Sequence, residues 1–324
     1  MLARRALAGI AVVAGVVTLT FLLLHAAPGD PAELLIGPTA TRAQLDAGRH
    51  ALGLDRPLTA QYGAWLLRFV RGDWGTSFAT GRPVRAMIAA AWPATARLVV
   101  LSLLLSYGLG LLVGAVQAAR HRRRLDTALS VASVTLVALP GYWLGLMLVT
   151  VFTYLLRVLP AFGAAGYDAD YLSGWARFQD GARHLALPLA TLTLIGVGAA
   201  ARFVRGALLD ALEQPFVVTA RAKGLRDSAV LARHALRHAL IPVVTLLGLS
   251  LPAVFSGAVF VEAVFAWPGV GRVLVEAVQA RDYPVVMAAT AVSALLVVTG
   301  NVLADVAAGL VDPRLRAVET ERAE

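Results

Sequence analysis

The sequence predicts an all-α polytopic membrane protein of six transmembrane helices, with both ends on the cytoplasmic side. Three observations carry this. First, 58% of the 324 residues are hydrophobic and only 15% are charged, with a mean hydropathy of +0.72; soluble domains carry about 25% charged residues. Second, apolar runs recur along the chain at lengths near the ~20 residues that a spanning helix needs. Third, the formal charge of +9 is concentrated in short loops beside those runs, the pattern by which arginine and lysine mark cytoplasmic loops. In a soluble protein this charge would suggest nucleic acid; here it reports topology, and no nucleic-acid partner is expected. The chain has no cysteine, which excludes disulfides and thiolate metal sites.

Residues 6–24 are an uncharged run preceded by Arg4 and Arg5. The run is long for a signal core and Ala26-Ala-Pro-Gly-Asp30 is a weak cleavage site, so a retained anchor is expected rather than a cleaved signal peptide. A polar excursion, 27–97, follows. In it Thr41-Arg-Ala-Gln44 matches a capping box, opening a short helix that runs to Leu52 and closes at Gly53. Residues 62–70 carry Trp65 and Phe69 at helical spacing, as an interfacial helix would, and Gly72-Asp-Trp-Gly75 is a turn.

The second span is 98–119, closed by the cytoplasmic turn His121-Arg-Arg-Arg124. The third, 127–156, is too long to cross untilted, and Pro140-Gly141 in its middle predicts a kink or a break. Residues 157–184 balance Arg157, Arg177 and Arg183 against Asp168, Asp170 and Asp180, which suits an outside loop. The short fourth span, 185–201, carries Gly196, Gly198, Ala199 and Ala200, small enough to let a neighbouring helix approach. The fifth span is 241–261. Glu262-Ala-Val-Phe-Ala-Trp-Pro-Gly-Val-Gly271 and an amphipathic stretch, 272–281, then form an outside segment lying at the interface. The sixth span is 283–304, with Asp305 near its end, before the polar tail 311–324. One membrane domain is expected: the first span and external loop (1–97), a five-helix core (98–310) containing the loop 202–241, and the tail.

The loop 202–241 is the most informative stretch. Arg202, Arg205, Arg221, Lys223, Arg226, Arg233 and Arg237 outnumber Asp210, Glu213 and Asp227, so it is cytoplasmic by the charge rule. Pro215 opens a short helical segment and Gly224 suits the left-handed position that closes one. About two turns of helix are unstable alone in water, so this piece needs something to pack on. A second helix, starting near Ser228, places His234 and His238 one turn apart. Ala235 stands where a metalloprotease has its glutamate and no third ligand is evident, so no metal site is predicted.

Thr219-Ala-Arg-Ala-Lys-Gly-Leu225, followed by Arg233-His-Ala-Leu-Arg-His-Ala-Leu-Ile-Pro242, resembles the EAA loop of inner-membrane permease subunits of ATP-binding cassette importers, in the dipeptide, oligopeptide and nickel branch. Ala51-Leu-Gly-Leu-Asp-Arg-Pro-Leu58, the Trp-Pro-Gly segment at 267–269 and Leu310-Val-Asp-Pro-Arg314 are similar to the same branch. Val218 stands where the short form of the motif has glutamate, and the gap from Gly224 to Pro242 is longer. The resemblance implies a multi-pass protein of the bacterial inner membrane that forms half of a translocation path. It implies a second permease subunit, two ATPase subunits and an extracytoplasmic solute-binding protein as partners; whether that permease is a different chain is not legible in the sequence. It also implies that Phe216, Val217, Thr219, Ala220, Arg221, Ala222, Lys223, Gly224 and Leu225 couple the chain to its ATPase. Phe216, Val217 and Ala220 would enter the ATPase groove, and Arg221 and Lys223 would meet its rim.

No phosphate loop, nucleophile elbow or H-E-x-x-H motif is present, so neither ATP binding nor catalysis by this chain is expected. A transporter without an energy source must borrow one. The competing readings are a basic loop with no docking role, a membrane-anchored scaffold, and a self-sufficient proton-coupled carrier or membrane-embedded enzyme. The last would have to rely on Glu262 and Asp305, intramembrane acids being functional candidates by default. The substrate and the residues lining its path are not legible in the sequence.

Overall fold

The chain folds as helices joined by turns in a computed structural model. It describes residues 2–27, 31–37 and 40–311; the side chain of Asp305 and the tail after Val311 lie outside what is described. Among the described residues no β-ladder forms beyond one isolated bridge between Thr76 and Pro83. Five helical segments are long and apolar enough to cross a membrane: Leu7–Ala26, Val84–Ala119, Gly174–Leu212, Leu246–Val264 and Tyr283–Val302. The pair Arg124–Ala138 and Gly141–Leu155 makes a sixth if taken as one span. Lipid offers the backbone no hydrogen-bond partner, and a helix satisfies its own.

The chain divides into two compact units, Met1–Thr95 with Pro268–Val298, and Ala96–Trp267 with Thr299–Glu324.

In the first unit α1 (Leu2–Ala26) packs through Val17 and Phe21 on Met287 and Ala291 of α13 (Tyr283–Val311). The short helices α2 (Pro31–Ile36) and α3 (Arg42–Leu52) follow. The capping box at Thr41 and Gln44 forms as expected, and Gly53 closes α3 at φ +70°. Helix α4 (Leu58–Val70) packs Tyr62, Trp65 and Phe69 against the α1–α13 contact. Tyr62 and Thr18 share a hydrogen bond of 2.7 Å. The first residues of α5 (Val84–Ala119) bury Val84, Ile88 and Ala91 against α13 and α12 (Val270–Gln279).

The loop before α5 is tied by one buried carboxylate. Asp282 is 3% exposed and accepts from Ser77 Oγ at 2.5 Å, Phe78 N at 3.0 Å and Ala79 N at 3.2 Å. Ser77 Oγ accepts in turn from Thr80 N at 2.9 Å.

The second unit is built on α8 (Gly174–Leu212). Expected as a span of 185–201, α8 is 39 residues long. Arg177, Arg183, Arg202 and Arg205 ended the apolar run but not the helix. Charges emerge into water without breaking a helix; the ends lie at the extended Ser173 and at Glu213, before Pro215. Helices α1, α5, α11 (Leu236–Val264) and α13 likewise exceed their apolar runs.

Packing on α8 uses missing side chains. A Cβ on Gly114 of α5 would stand 2.7 Å from Ala201 O, and one on Gly110 would meet Ala200 Cβ at 2.5 Å. Helix α6 (Arg124–Ala138) approaches so closely that a Cβ on Gly198 would stand 2.6 Å from Ser133 O. Gly196 lies under Ser106, so three of the four expected small positions are used; Ala199 is exposed. Helix α7 (Gly141–Val149) continues as a π-helical turn, Thr150–Leu155. Between α6 and α7 the axis turns by 103°, a break rather than a kink. Leu139 is extended at ψ 132°, as the residue before a proline prefers, and Pro140, extended at ψ 131°, is the N-cap from which the new helix starts at Gly141.

Two predictions follow from these contacts. Asp282→Ala leaves the Ser77 hydroxyl and two loop amides without their charged acceptor; the expected loss is about 1–3 kcal/mol. It should appear as a lower melting temperature in detergent and faster proteolysis within 76–83. Gly114→Leu cannot be accommodated without moving α8, and should cut the yield of folded, monodisperse protein several-fold, whereas Ala199→Leu should not.

Candidate functional site

The segment after α8 reads as designed by its punctuation. Helix α8 ends at Leu212, Gln214 turns extended at ψ 148°, and Pro215 occupies the first turn of α9 (Pro215–Ala222). Proline fits there because the amide it lacks would have no partner. At the other end Gly224 holds φ +80°. Leu225 N donates to Ala220 O at 3.3 Å and Gly224 N to Arg221 O at 2.9 Å, the pair of bonds that defines a Schellman closure. Arg226 then caps α10 (Asp227–Val230), which runs through a π-helical turn, Leu231–Ala235, into α11 (Leu236–Val264). Two short helices with a break at Gly224 were expected, and they form.

Helix α9 spends one face on its own chain. Val217 and Ala220 are buried with Val230 of α10, and Leu212 and Phe216 cover the cluster. The Phe216 ring stacks on His238 with centroids 4.4 Å apart. The expected assignment of Phe216, Val217 and Ala220 to a partner's groove is therefore corrected. Val217 and Ala220 have no surface left to offer, and Phe216 is half-buried and engaged.

The opposite face is open. Val218 is 62% exposed and Leu225 41%, and Thr219, Arg221, Ala222 and Lys223 are exposed between them. Val218 and Ala222 lie one turn apart on the free face of α9, and Leu225 is exposed just beyond the closure at Gly224; these three form the free apolar surface. Arg221 borders it and donates from Nε to Asp227 Oδ1 at 3.1 Å. An exposed pair of that kind contributes about 0–1 kcal/mol, enough to bias the arginine and no more. Val218 was absent from the expected set. Its signal was in the sequence, as an apolar residue where the motif carries glutamate, but period alone does not say which of two apolar faces turns inward.

The remaining candidates separate. His234 sits half-buried in the π-helical turn while His238 is exposed and stacked, so the two do not converge, and among the described residues no group of three metal-ligating side chains exists. Glu262 is fully buried near the end of α11, which runs to Val264.

Comparison with known proteins agrees with this architecture. Residues 106–317 match the family described as binding-protein-dependent transport system inner membrane component, and residues 1–99 match its N-terminal companion. The chain is 37% identical to the oligopeptide transport system permease protein AppB of Bacillus subtilis, over 96% of this chain and 98% of that one. It is 37% identical to the probable D,D-dipeptide transport system permease protein DdpB of Escherichia coli, over 94% of each. It is 36% identical to the glutathione transport system permease protein GsiC of Salmonella choleraesuis, over 93% of this chain and 94% of that one. A crystal structure of an amino acid ABC transporter with histidines shares the fold, with a TM-score of 0.51 at 12% identity, covering 68% of this chain and 92% of that one. With both halves of the chain matched and relatives aligned from end to end, this protein belongs to the family of binding-protein-dependent transport system inner membrane components, as a multi-pass permease.

Proposed function

We propose that the chain is one permease subunit of an ATP-driven importer for peptides or closely related small solutes, and that α9 is the element through which separate ATPase subunits move it. The observation that carries this reading is the two-sided build of α9. A helix of eight residues does not persist alone in water, and its inner face, Val217 and Ala220, anchors it to Val230. The outer stripe of Val218, Ala222 and Leu225, bordered by Arg221 and Lys223, is left for another protein. This is the form of a helix laid into a groove. Burying a valine or leucine contributes about 1.5–3 kcal/mol, so the stripe is enough to dock on but not to hold permanently.

Because α9 hangs from the end of α8, a displacement of α9 reaches the helices packed on α8. In this reading the loop faces the cytoplasm with both chain termini. A second permease completes the path, two ATPases bind ATP, and a solute-binding protein delivers cargo from outside. The peptide substrate class is supported by relatives named for oligopeptides, D,D-dipeptides and glutathione. The alternative of a self-sufficient carrier or enzyme gains no support from any observation above.

The test separates the two faces of α9. Val218→Glu with Ala222→Glu places charge on the outer stripe, where an apolar groove cannot solvate it. Membrane insertion and folded yield should stay near wild type, while ATPase co-purification and peptide uptake should fall at least tenfold. Val217→Asp should instead lower the folded yield, because it charges the internal cluster. Wild-type uptake by the outer-face double variant would overturn the role given to α9.

A further inference from the structure

Asp126 stands in the first turn of α6 and is 3% exposed. A carboxylate withdrawn from water to that degree is tolerated only when its lone pairs are filled. Arg205 of α8 fills two of them, donating from Nε to Oδ1 at 2.7 Å and from Nη2 to Oδ2 at 2.9 Å. Two parallel bonds of this kind need the planar fork of a guanidinium, and a lysine cannot make them. Arg122 N donates to Oδ2 at 3.1 Å; Arg122 itself holds φ +62°, an unfavourable conformation for a side chain of its size. Ser130 Oγ reaches Oδ1 at 3.4 Å, and Gln117 Nε2 donates to Ser130 Oγ at 3.2 Å. His121 Nδ1 accepts from Arg205 Nη2 at 3.2 Å. The end of α5, the α5–α6 turn, the start of α6 and α8 thus meet at one carboxylate.

The position of Arg205 gives this network a use. It lies seven residues before the end of α8, from which α9 hangs. Asp126 lies at the start of α6, which leads through the 103° break into α7. Helix α6 is therefore fastened to α8 at two heights, by the Gly198–Ser133 approach and by the ion pair. A van der Waals contact alone permits sliding. A bidentate pair with a buried acceptor resists it, since separation would leave the buried carboxylate without its charged partner.

We propose that Asp126 and Arg205 are positioning residues for transport: their pair makes the broken span α6–α7 follow α8 when α9 is displaced. The inference rests on the reading of α9 as the ATPase-coupling helix. Without the pair, α8 moves and α6 lags, so ATP is hydrolysed with less solute carried.

The test uses the assembled transporter in proteoliposomes, with its ATPase, second permease and binding protein, and reads solute imported per ATP hydrolysed. Arg205→Lys keeps the charge and loses the fork; Asp126→Asn keeps the shape and loses the charge. Each should lower the ratio at least fivefold while the ATPase still co-purifies, and the double variant should be no worse than the worse single. The exchange Asp126→Arg with Arg205→Asp should recover part of the loss. A ratio at the wild-type value in folded Arg205→Lys or Asp126→Asn overturns the proposal, leaving the pair a stability element that changes yield or melting temperature alone. If the variants do not assemble, the wild-type background decides. With no native cysteine present, Thr127→Cys and Arg202→Cys, both at exposed positions, accept spin labels on α6 and α8. A label distance that stays constant between nucleotide-free and ATP-bound states supports the link, and one that changes overturns it. The reading of α9 fails separately, through the Val218→Glu and Ala222→Glu variant with the pair intact.

Discussion

Close backbone approach to α8 is the constraint on which the larger unit depends. Between helices in lipid the hydrophobic effect offers little, because a neighbouring acyl chain is as apolar as leucine. What remains is contact, and contact is densest where side chains are absent. Gly110 and Gly114 let α5 lie against Ala200, Ala201 and Val204, and Gly198 lets α6 lie against α8 at Ser133. Helix α8 is consequently the member against which α5 and α6 are placed, and the short helix α9 inherits its position from the end of it.

In each unit a buried carboxylate gathers more than one donor. Asp282 gathers Ser77 and two amides of the 76–83 loop, and Asp126 gathers an arginine fork, an amide and a hydroxyl. Neither helix geometry nor apolar packing would otherwise hold those loops. A loop exposes its backbone to water and gains little from staying in one place. The carboxylates convert two such loops into fixed parts of the helices beside them.

Helix α9 has two apolar faces and one chain to bury them in. Val217 and Ala220 are consumed at home, and Val218, Ala222 and Leu225 are not. This division leaves α9 anchored to its own chain with an apolar surface still exposed. Were both faces free it would unfold in water, and were both buried it would have nothing to offer a partner. The Schellman closure at Gly224 ends the helix just past Ala222, and Leu225 follows it as an exposed apolar residue.

By itself the sequence determined the all-helical membrane class, the near positions of its spans, the capping box at Thr41, the break at Pro140 and the helix between Pro215 and Gly224. Each is written locally: in an unbroken apolar run, in a side chain that bonds its own backbone, in a residue with one allowed φ. Helix ends were misjudged where arginines closed the apolar run, because charge ends the membrane-buried part of a helix and not the helix. Tertiary structure alone decided which face of α9 is free, that Glu262 is buried, and that Asp126 and Arg205 meet across 79 positions of sequence. These depend on which surfaces of distant segments come together, and a helical period marks an apolar face without saying what it faces.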